Sequence, residues 1–447
     1  MSDNGRGHWQ TRAGFVAAAA GSAIGLGNIW RFPFITGRYG GGAFVLVYIL
    51  LLIFIGYPVM NSELILGRKT EKNPVGAYKA LAPGSPWAIA GFMGVAAGFI
   101  ILSYYSVVAG WAISYIFKSG AYMAAGADTA AIFVGSITST FGGIFWHTLF
   151  MALCIAIVAG GVEQGIEKWS KILMPVLLAL LIILIIRAVT LPGSGEGLAF
   201  YLRPDFSAFT GEGFLAALGQ VFFTLSLGMG AMITYGSYLK KDEDLPLNAK
   251  YVVGADTIIA LLAGFVIFPA VFAFGLEPAA GPGLTFITIP AVFSQMGAAG
   301  HIFGIIFFAL LTIAALTSAI SLLEVVAAYF IDEVKWDRKK ATITMGIIIW
   351  LLGIIPSLGY STLSHITPIM GMDLLDSFDF VANNILLPLG GLLIAVFIGW
   401  FWGTDKALEE ANRGASTKLG SSYSFLIKYV VPIAVFVVFL NSVGILG

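Results

Sequence analysis

The feature that most constrains this chain is a series of long apolar runs with few charges, such as "KILMPVLLALLIILIIRAV" and "ILLPLGGLLIAVFIGWFW". Runs of about 20 apolar residues have the length that a helix needs to cross the hydrocarbon core of a membrane. The composition agrees, because 58% of the 447 residues are hydrophobic and only 11% are charged. Soluble globular proteins do not have this composition. The sequence therefore predicts an all-α polytopic membrane protein.

A window of about 20 residues divides the chain into eleven predicted spans, which we number 1 to 11. Their predicted bounds are 12–37, 41–67, 88–118, 143–161, 169–188, 213–238, 251–276, 302–331, 341–358, 376–401 and 425–443. We interpret residues 1–447 as one transmembrane domain. Within it, we expect a first repeat at about 12–188, a second repeat at about 213–401 and an extra helix at about 425–443.

Basic residues are distributed unevenly among the loops that join these spans. With a cytoplasmic N-terminus, 19 of the 24 lysines and arginines fall on the cytoplasmic side. The positive-inside rule therefore predicts a multi-pass protein with a cytoplasmic N-terminus and, after an odd number of spans, a C-terminus outside. The single cysteine, Cys154, excludes a disulfide framework. Nothing in the charge pattern indicates nucleic-acid binding.

Spans 1 and 6 carry glycines and polar residues where an ordinary span is uniformly apolar. Span 1 reads "AGSAIGLGN" near its middle, and span 6 reads "SLGMG" at the corresponding depth. Two interrupted helices in corresponding positions of two halves indicate a transporter site at the interface of the repeats. Unwound backbone offers carbonyl groups to a cation and amide groups to a carboxylate. The alternative interpretation is that these glycines let helices pack closely.

The segment "GSAIGLGNIWRFPFITGRYGGGAFVLVY" resembles the first-helix signature of the neurotransmitter:sodium symporter family. The resemblance continues in "YPVMNSELILGR", "GQVFFTLSLGMGAMITYGSYLKKDED", "LTSAISLLEVVAAYFIDE" and "GTDKALEEANRG", and it covers nearly the whole chain. It implies the LeuT fold, an inverted 5+5 helix repeat plus one extra helix, with helices 1 and 6 unwound at mid-membrane. It also implies a sodium-coupled secondary active symporter rather than an enzyme. Eleven spans resemble the shorter bacterial subgroup, so the expected location is the bacterial inner membrane.

The resemblance further implies two sodium sites built from oxygen atoms, which are the ligands that hard cations prefer. The first site would use Ala23, Asn28, Thr224 and Asp256. The second would use the carbonyl groups of Gly21, Ile24 and Ala314 with the hydroxyls of Thr317 and Ser318. For these two hydroxyls the alternative is a hydrogen bond back to their own helix.

Asp256 departs from the family pattern, in which this position of span 7 is an asparagine. A carboxylate at the centre of a membrane helix costs about 2.5–3.5 kcal/mol on insertion scales and indicates a functional site. Chloride-using relatives have an anion site that Tyr48, Gln220 and Thr224 match in part, but its remaining serine is Ala260 in this chain. We therefore predict that Asp256 supplies the negative charge and that chloride is not required. Two alternatives are a packing role for Asp256 and its protonation in a proton antiport.

The expected substrate is a hydrophobic, possibly aromatic, L-amino acid. The resemblance places its carboxylate at the amides of Leu26 and Gly27 and at the Tyr105 hydroxyl. Gly25 stands where amine transporters carry an aspartate, so the substrate is expected to bring its own carboxylate. Met229, unless it only fills the core, is flexible enough to accommodate a large side chain. The predicted pocket consists of Ala23, Gly25, Leu26, Gly27, Ile101, Tyr105, Val108, Phe223, Thr224, Ser226, Met229 and Leu322.

Charged and aromatic residues on either side of this pocket match the gates of the family. The outer gate would be an ion pair, direct or through water, between Arg31 and Asp379, closed by Phe223. The inner gate would consist of Arg6, Trp9, Tyr238 and Asp332. Taken alone, the charges of this inner set would be interpreted as ordinary solvated groups. Glu63 is interpreted as structural support for a broken helix.

Three other functions are weighed against symport. A continuous stripe of polar residues along the spans would indicate a cation channel. The polar groups here concentrate instead in the two broken segments, which favours a carrier. A membrane-embedded enzyme would need a nucleophile with a base, a metal motif or a dinucleotide loop, and the sequence offers none of these. An amino-acid sensor on the same fold stays open. The sequence therefore favours a carrier for a small amino acid in the lipid bilayer.

Overall fold

The computed structural model describes residues 7–124, 126–276 and 283–445. Nine continuous helices within these ranges are long and apolar enough to cross a membrane. Spans 2 to 5 are Gly42–Thr70, Ala88–Phe117, Thr140–Ala159 and Val162–Val189. Spans 7 to 11 are Leu245–Ala273, Ala298–Asp332, Arg338–Ser357, Leu374–Trp402 and Ser421–Ser442.

Spans 1 and 6 are both broken, as the sequence predicts. Span 1 consists of Arg12–Ala23 and Gly27–Arg38, which meet at a bend of 52°. Span 6 consists of Gly211–Thr224 and Ala231–Gly236, and the segment between its halves contains positive φ angles at Ser226, Gly228 and Gly230. Among the described residues, bent span 1 brings the number of membrane-length apolar spans to ten, and the two short halves of span 6 occupy the position of the remaining predicted span.

The largest differences from the predicted bounds are at the starts of span 5, which begins at Val162 instead of residue 169, and of span 7, which begins at Leu245 instead of residue 251. The carboxylate of Asp244 accepts a hydrogen bond from the Leu247 amide at 3.1 Å and so caps the helix. Pro246 occupies the first turn, where a missing N–H costs nothing. The hydropathy window placed the start later because it does not respond to a polar cap.

Shorter helices lie between the spans: Pro74–Leu81, Ser119–Tyr122, Thr129–Ile137, Ser194–Leu202, Leu284–Gln295 and Thr404–Ala411. The apolar helix Leu284–Gln295 packs back onto the bundle, because the ring centroid of buried Phe286 lies 5.2 Å from that of Tyr115 in span 3. In the described part of the chain, extended pairing is limited to two isolated bridges, Gly41 with Pro204 and Ile369 with Met372. The remaining regular secondary structure of the described residues is helical.

Span 3 lies at the centre of the bundle, and spans 5 and 11 lie at its edge. The most apolar window of span 3 is 72% buried, compared with 22% for span 5 and 28% for span 11. Spans 3 and 8 pack along each other, and a Cβ built on Gly98 would lie 3.4 Å from the Leu322 carbonyl oxygen. Small residues permit this close approach of two helices. The packing brings Tyr105 of span 3 and Ser318 of span 8 to the break in span 1.

Candidate functional site

The break in span 1 is held by side chains from neighbouring spans. Its backbone leaves the helical conformation at Ile24, with φ −75° and ψ 103°. The Leu26 amide then donates to the hydroxyl of Tyr105 at 3.3 Å, and the side-chain amide of Gln220 donates to the Gly27 carbonyl at 2.9 Å. A broken helix leaves backbone groups without helical partners, which is costly in a membrane. Spans 3 and 6 supply these partners.

A buried carboxylate lies beside the second half of span 1. Asp256 Oδ1 accepts hydrogen bonds from the Asn28 amide at 2.7 Å and from the Thr224 hydroxyl at 3.0 Å. All three side chains are fully buried. We call Asn28, Thr224 and Asp256 the carboxylate cluster. They are three of the four residues predicted for the first sodium site, and the structure brings them together from spans 1, 6 and 7.

When Asp256 is ionised, the carboxylate cluster has a negative charge without a protein counter-charge among the described residues. Among the described residues, no lysine or arginine lies within ion-pairing distance of Asp256. An unpaired ionised carboxylate in a dry interior costs several kcal/mol. A bound monovalent cation would neutralise it. The Asn28 amide oxygen accepts from the Gly25 amide at 3.0 Å, so the same side chain also fixes the break in span 1.

A second group of oxygen atoms lies between the first half of span 1 and span 8. The Ser318 hydroxyl oxygen lies 3.4 Å from the Ile24 carbonyl oxygen and 3.5 Å from that of Gly21. The Thr317 hydroxyl oxygen lies 3.0 Å from the Ala314 carbonyl oxygen and 3.5 Å from that of Ile24. We call these five residues the hydroxyl cluster. It is the set predicted for the second sodium site, and all its groups are neutral.

The two hydroxyls of this cluster differ in where their protons point. Thr317 bonds within span 8, to Ala314 and, at 3.2 Å, to Ile313. Ser318 instead donates across the interface, to the Ser22 carbonyl at 3.0 Å. The alternative of bonding back to its own helix therefore applies to Thr317 and not to Ser318.

A central cavity of about 30 Å³ lies between the two breaks. All predicted pocket residues except Val108 and Thr224 line this cavity. Ser22 and Ser318, which were not among the predicted pocket residues, line it as well. The volume holds one or two water molecules, so an amino acid would enter only after Phe223 or Met229 moves. The lining consists of Ser22, Ala23, Gly25, Leu26, Gly27, Ile101, Tyr105, Phe223, Ser226, Met229, Ser318 and Leu322.

Gly25 lies at the tightest point of this lining. A Cβ at this position would lie 2.4 Å from the Ser318 hydroxyl oxygen and 2.9 Å from the Tyr105 hydroxyl oxygen. Any side chain here, an aspartate included, would displace one of the two. The absence of an acid at position 25 therefore has a steric reason in addition to the electrostatic one.

A larger cavity of about 400 Å³ lies on the Arg31 side of the break, and both Arg31 and Asp379 line it, as does Val108. The Arg31 guanidinium carbon lies 4.8 Å from the ring centroid of Phe223, and Asp379 accepts a hydrogen bond from Asn383 at 2.6 Å. No direct ion pair joins Arg31 to Asp379 in the part of the chain that the structure describes. Of the two forms predicted for the outer gate, the direct pair is thus not formed here.

The inner-gate residues lie at the opposite end of spans 1, 6 and 8. The Trp9 indole donates to the Tyr235 carbonyl at 2.9 Å, and the Trp9 amide donates to the Tyr238 carbonyl at 3.3 Å. Asp332 accepts hydrogen bonds from the backbone and the side chain of Asn73, at 2.8 and 3.0 Å. Arg6, which was predicted to complete this gate, lies outside the described residues.

A neighbouring carboxylate, Glu333, ties the end of span 8 to the helix Pro74–Leu81. Lys79 donates to it at 2.6 Å and Asn73 at 3.3 Å. Burial acts to raise the pKa of Glu333, but the hydrogen bonds from Lys79 and Asn73 outweigh it and lower the pKa below its usual value. This end of the molecule is therefore joined by charged contacts.

Glu63 supports the break in span 6. Its Oε1 atom accepts a hydrogen bond from the Gly228 amide at 2.7 Å, and the side chain is fully buried. Gly228 has a φ of +81°, and a Cβ there would lie 2.4 Å from the Leu387 carbonyl oxygen, so only glycine fits. Glu63 of span 2 thus binds the unwound segment of span 6, in the supporting position that the sequence indicated, and the missing side chain of Gly228 lets this segment approach span 10.

Sequence reasoning missed a buried acid in span 8. Glu324 accepts a hydrogen bond from the Tyr238 hydroxyl at 2.5 Å and two from the Arg338 guanidinium at 2.7 and 3.0 Å. Its side chain is fully buried. A signal was present, because an acid inside the apolar run "SLLEVVAAYF" is a candidate functional residue by default.

The anion-site residues are mostly engaged with other groups. The side-chain amide of Gln220 is bonded to Gly27, and the Thr224 hydroxyl donates to Asp256. The Tyr48 hydroxyl is buried without a hydrogen-bond partner among the described residues, and Ala260 offers no donor. The single proton of the Thr224 hydroxyl and one N–H of the Gln220 amide are therefore already bonded to protein groups.

Comparison with known proteins gives consistent matches over the whole chain. The model of the sodium:neurotransmitter symporter family matches residues 6–129 and 129–446. An uncharacterized sodium-dependent transporter of Bacillus subtilis, YhdH, is 43% identical over 452 residues, which cover 100% of both chains. One from Haemophilus influenzae is 40% identical over 97% of each chain. A crystal structure of MhsT in complex with L-phenylalanine matches with a TM-score of 0.90 and 50% identity, over 98% of this chain and 100% of that one.

Proposed function

The chain belongs to the sodium:neurotransmitter symporter family, and from this premise we propose that it imports hydrophobic L-amino acids with two sodium ions and without chloride. Family membership confirms the motif resemblance, and with it a sodium-dependent transporter in a membrane rather than an enzyme. The LeuT fold is confirmed as well. The substrate class, the ion number, the chloride independence and the orientation are the proposal.

The observation that carries the substrate class is the chemistry of the central cavity. Its lining contains hydroxyls, backbone groups and apolar side chains, and no charged side chain. A zwitterion would place its carboxylate at the Leu26 and Gly27 amides and at the Tyr105 hydroxyl. Its side chain would face Ile101 and Met229. The crystal structure of MhsT, at 50% identity, contains L-phenylalanine, which supports a hydrophobic and possibly aromatic substrate.

The two oxygen clusters are the proposed sodium sites. The carboxylate cluster would bind one ion with Asp256, Asn28 and Thr224, together with the Ala23 carbonyl. The hydroxyl cluster would bind the other with neutral carbonyl and hydroxyl oxygens. Since both clusters include residues at the break of span 1, sodium binding would fix that break and complete the central cavity.

Chloride independence follows from the charge of the carboxylate cluster. A cation site in a dry interior needs one compensating negative charge nearby, and Asp256 already provides it. A chloride ion in addition would meet a like charge, and the single proton of the Thr224 hydroxyl is already donated to Asp256. Asp256 therefore supplies, as a fixed group, the negative charge that a relative with asparagine at this position would obtain from a chloride ion in solution.

The proposed cycle is alternating access between the two repeats, spans 1–5 and spans 6–10. With a cytoplasmic N-terminus, the cavity beside Arg31 opens outward, and Phe223 with Arg31 closes over the bound substrate. Trp9, Tyr238, Asp332 and the Glu324–Arg338 pair hold the inner side closed until the outer side has shut. Two sodium ions entering with a zwitterion would gain about 4.6 kcal/mol from a potential of about 100 mV.

The test is uptake into proteoliposomes that contain the full chain. A panel of labelled leucine, phenylalanine, tryptophan, glutamate, lysine and serotonin would be offered with external sodium or external potassium. We expect sodium-dependent accumulation of the hydrophobic amino acids, and no uptake of the charged amino acids or the amine. Uptake of serotonin in preference to phenylalanine would contradict the proposed substrate class, and accumulation in potassium alone would contradict sodium coupling.

A further inference from the structure

Three buried serines form a closed ring of hydrogen bonds between span 1 and span 8. The Ser22 hydroxyl donates to the Ser321 hydroxyl oxygen at 2.7 Å, and the Ser321 hydroxyl donates to the Ser318 carbonyl at 2.8 Å. The Ser318 hydroxyl returns to the Ser22 carbonyl at 3.0 Å. We call these three residues the serine ring. Only Ser318 belongs to the hydroxyl cluster, and Ser321 lines neither cavity.

This pattern differs from that of the buried serines in span 3, although Ser62 of span 2 likewise bonds both its own helix and Tyr423 of span 11. Ser106 and Ser114 in span 3 each donate to carbonyl groups of their own helix, which is the common arrangement of a hydroxyl in a membrane helix. Ser321 lies one turn after Ser318 and therefore on the same face of span 8. Its hydroxyl both accepts from span 1 and donates to the backbone of Ser318, so it joins the two helices.

The ring positions residue 22, whose backbone carbonyl accepts hydrogen bonds from the Ser318 hydroxyl at 3.0 Å and from the Ser226 hydroxyl at 2.8 Å. A hydroxyl has one proton and two lone pairs, and a hydroxyl beside two free carbonyl oxygens would ordinarily donate to one of them. Here the Gly21 and Ile24 oxygens lie 3.5 and 3.4 Å from the Ser318 oxygen, but the closer acceptor is the Ser22 carbonyl. The lone pairs of Ser318 are left for a cation held between it and those two oxygens.

We propose that Ser321 and Ser22 are positioning residues for the sodium ion at the hydroxyl cluster. They do not touch the ion. The bond between their side chains holds the Gly21–Ile24 segment of span 1, with the Ser22 carbonyl to which Ser318 donates, at a fixed distance from span 8. The inference rests on the proposed function, because it requires the hydroxyl cluster to bind sodium.

Loss of one hydroxyl opens the ring. In Ser321→Ala, the Ser22 hydroxyl loses its acceptor and the Ser318 carbonyl loses a donor, so the side-chain bond that holds residue 22 and its carbonyl against span 8 is lost. We expect the sodium concentration for half-maximal uptake to rise about three- to tenfold, the size of one or two lost net hydrogen bonds. The substrate concentration for half-maximal uptake, measured at saturating sodium, should stay within about twofold.

The experiment measures sodium titrations of uptake in proteoliposomes and of sodium-22 binding to the purified full chain, at constant ionic strength with choline. Ser22→Ala, Ser321→Ala and the double variant are compared with Ser114→Ala, which removes a buried hydroxyl that bonds only to its own helix. Because each single change already opens the ring, the double variant should be no more than about twofold weaker than either. Ser321→Cys, which keeps a weak donor and a similar volume, should lie between Ser321→Ala and the wild type.

The outcomes separate this inference from the proposed function. A wild-type chain without sodium-22 binding would overturn both. Sodium-dependent uptake in the wild type, with Ser321→Ala and Ser22→Ala equal to Ser114→Ala, would overturn the positioning role alone. Equal loss of sodium and substrate affinity in the ring variants would also overturn it, because that result indicates a general packing defect. If one single variant fails to fold, the other tests the same ring from the opposite helix.

Discussion

The carboxylate cluster and the hydroxyl cluster lie on the two sides of one helix break, and the main chemical difference between them is that only the first contains an ionisable group. The first contains Asp256, a buried acid with no protein counter-charge among the described residues. The second contains carbonyl and hydroxyl oxygens and carries no net charge. Both are built on the unwound backbone of span 1, and each is completed by other spans.

This difference teaches that the two clusters should depend on different properties. In a low-dielectric site, Coulomb attraction between unit charges is large and falls off slowly with distance, so the carboxylate cluster depends on its charge more than on exact placement. Neutral dipoles attract a cation only when their lone pairs are aimed at it. The hydroxyl cluster should therefore depend on hydrogen-bonded orientation, which the serine ring supplies.

The largest expected effect comes from removing the charge. Asp256→Asn should weaken sodium-dependent uptake at least about a hundredfold, because loss of one partner from a buried charge pair costs about 2–5 kcal/mol. The measurement is the initial rate of phenylalanine uptake as a function of external sodium. Asp128→Asn is the control, since Asp128 is an exposed helix cap that asparagine can replace. Wild-type sodium affinity in Asp256→Asn would contradict the claim that the carboxylate cluster depends on its charge.

A second change acts on the break shared by both clusters. Gly25→Ala places a methyl group 2.4 Å from the Ser318 oxygen and 2.9 Å from the Tyr105 oxygen. Overpacking of this kind costs about 1–3 kcal/mol, so we expect uptake to fall about tenfold or more, with both sodium and substrate affinities reduced. Gly219→Ala has no atom within 4 Å of the new carbon and should resemble the wild type. An unaffected Gly25→Ala variant would show that the break relaxes more freely than this geometry permits.

Removing one neutral ligand should cost less than removing the charge. Ser318→Ala is expected to raise the sodium concentration for half-maximal uptake about three- to tenfold, the scale of one hydrogen-bond-like contact. Thr312→Ala in the same span is the matched control, since its hydroxyl bonds only to the Phe308 carbonyl, at 2.8 Å. A loss as large as that of Asp256→Asn would remove the distinction between the charged and the neutral cluster.

The smallest expected effect is at Tyr48. Its hydroxyl has no hydrogen-bond partner among the described residues, so Tyr48→Phe removes no such contact. We expect uptake within about twofold of the wild type, in chloride and in gluconate alike. A marked loss that appears only in chloride would indicate that this hydroxyl serves an anion and would weaken the role given to Asp256.

The sequence was sufficient to predict the spans and the two breaks, because hydropathy and glycine content depend on local composition. It was also sufficient to select the residues that the structure brings together in the carboxylate cluster and the hydroxyl cluster, since they lie in recognisable motifs, and their binding of sodium stays a prediction. It did not predict the state of the Arg31–Asp379 pair, which depends on how side chains pack over Phe223. The serine ring was not predicted for a related reason, because its hydrogen bonds depend on the register between span 1 and span 8. Glu324 with Arg338 could have been found, since an acid in an apolar run is visible without a structure.

The most direct test of the central claim compares anions in the wild-type protein. Initial rates of labelled phenylalanine uptake would be measured in proteoliposomes with a sodium gradient, with chloride or gluconate as the sole anion on both sides. A fixed negative charge at Asp256 predicts equal rates, within about twofold, and equal sodium concentrations for half-maximal uptake. Uptake that requires chloride would contradict the account, because Asp256 would then not be supplying the compensating charge.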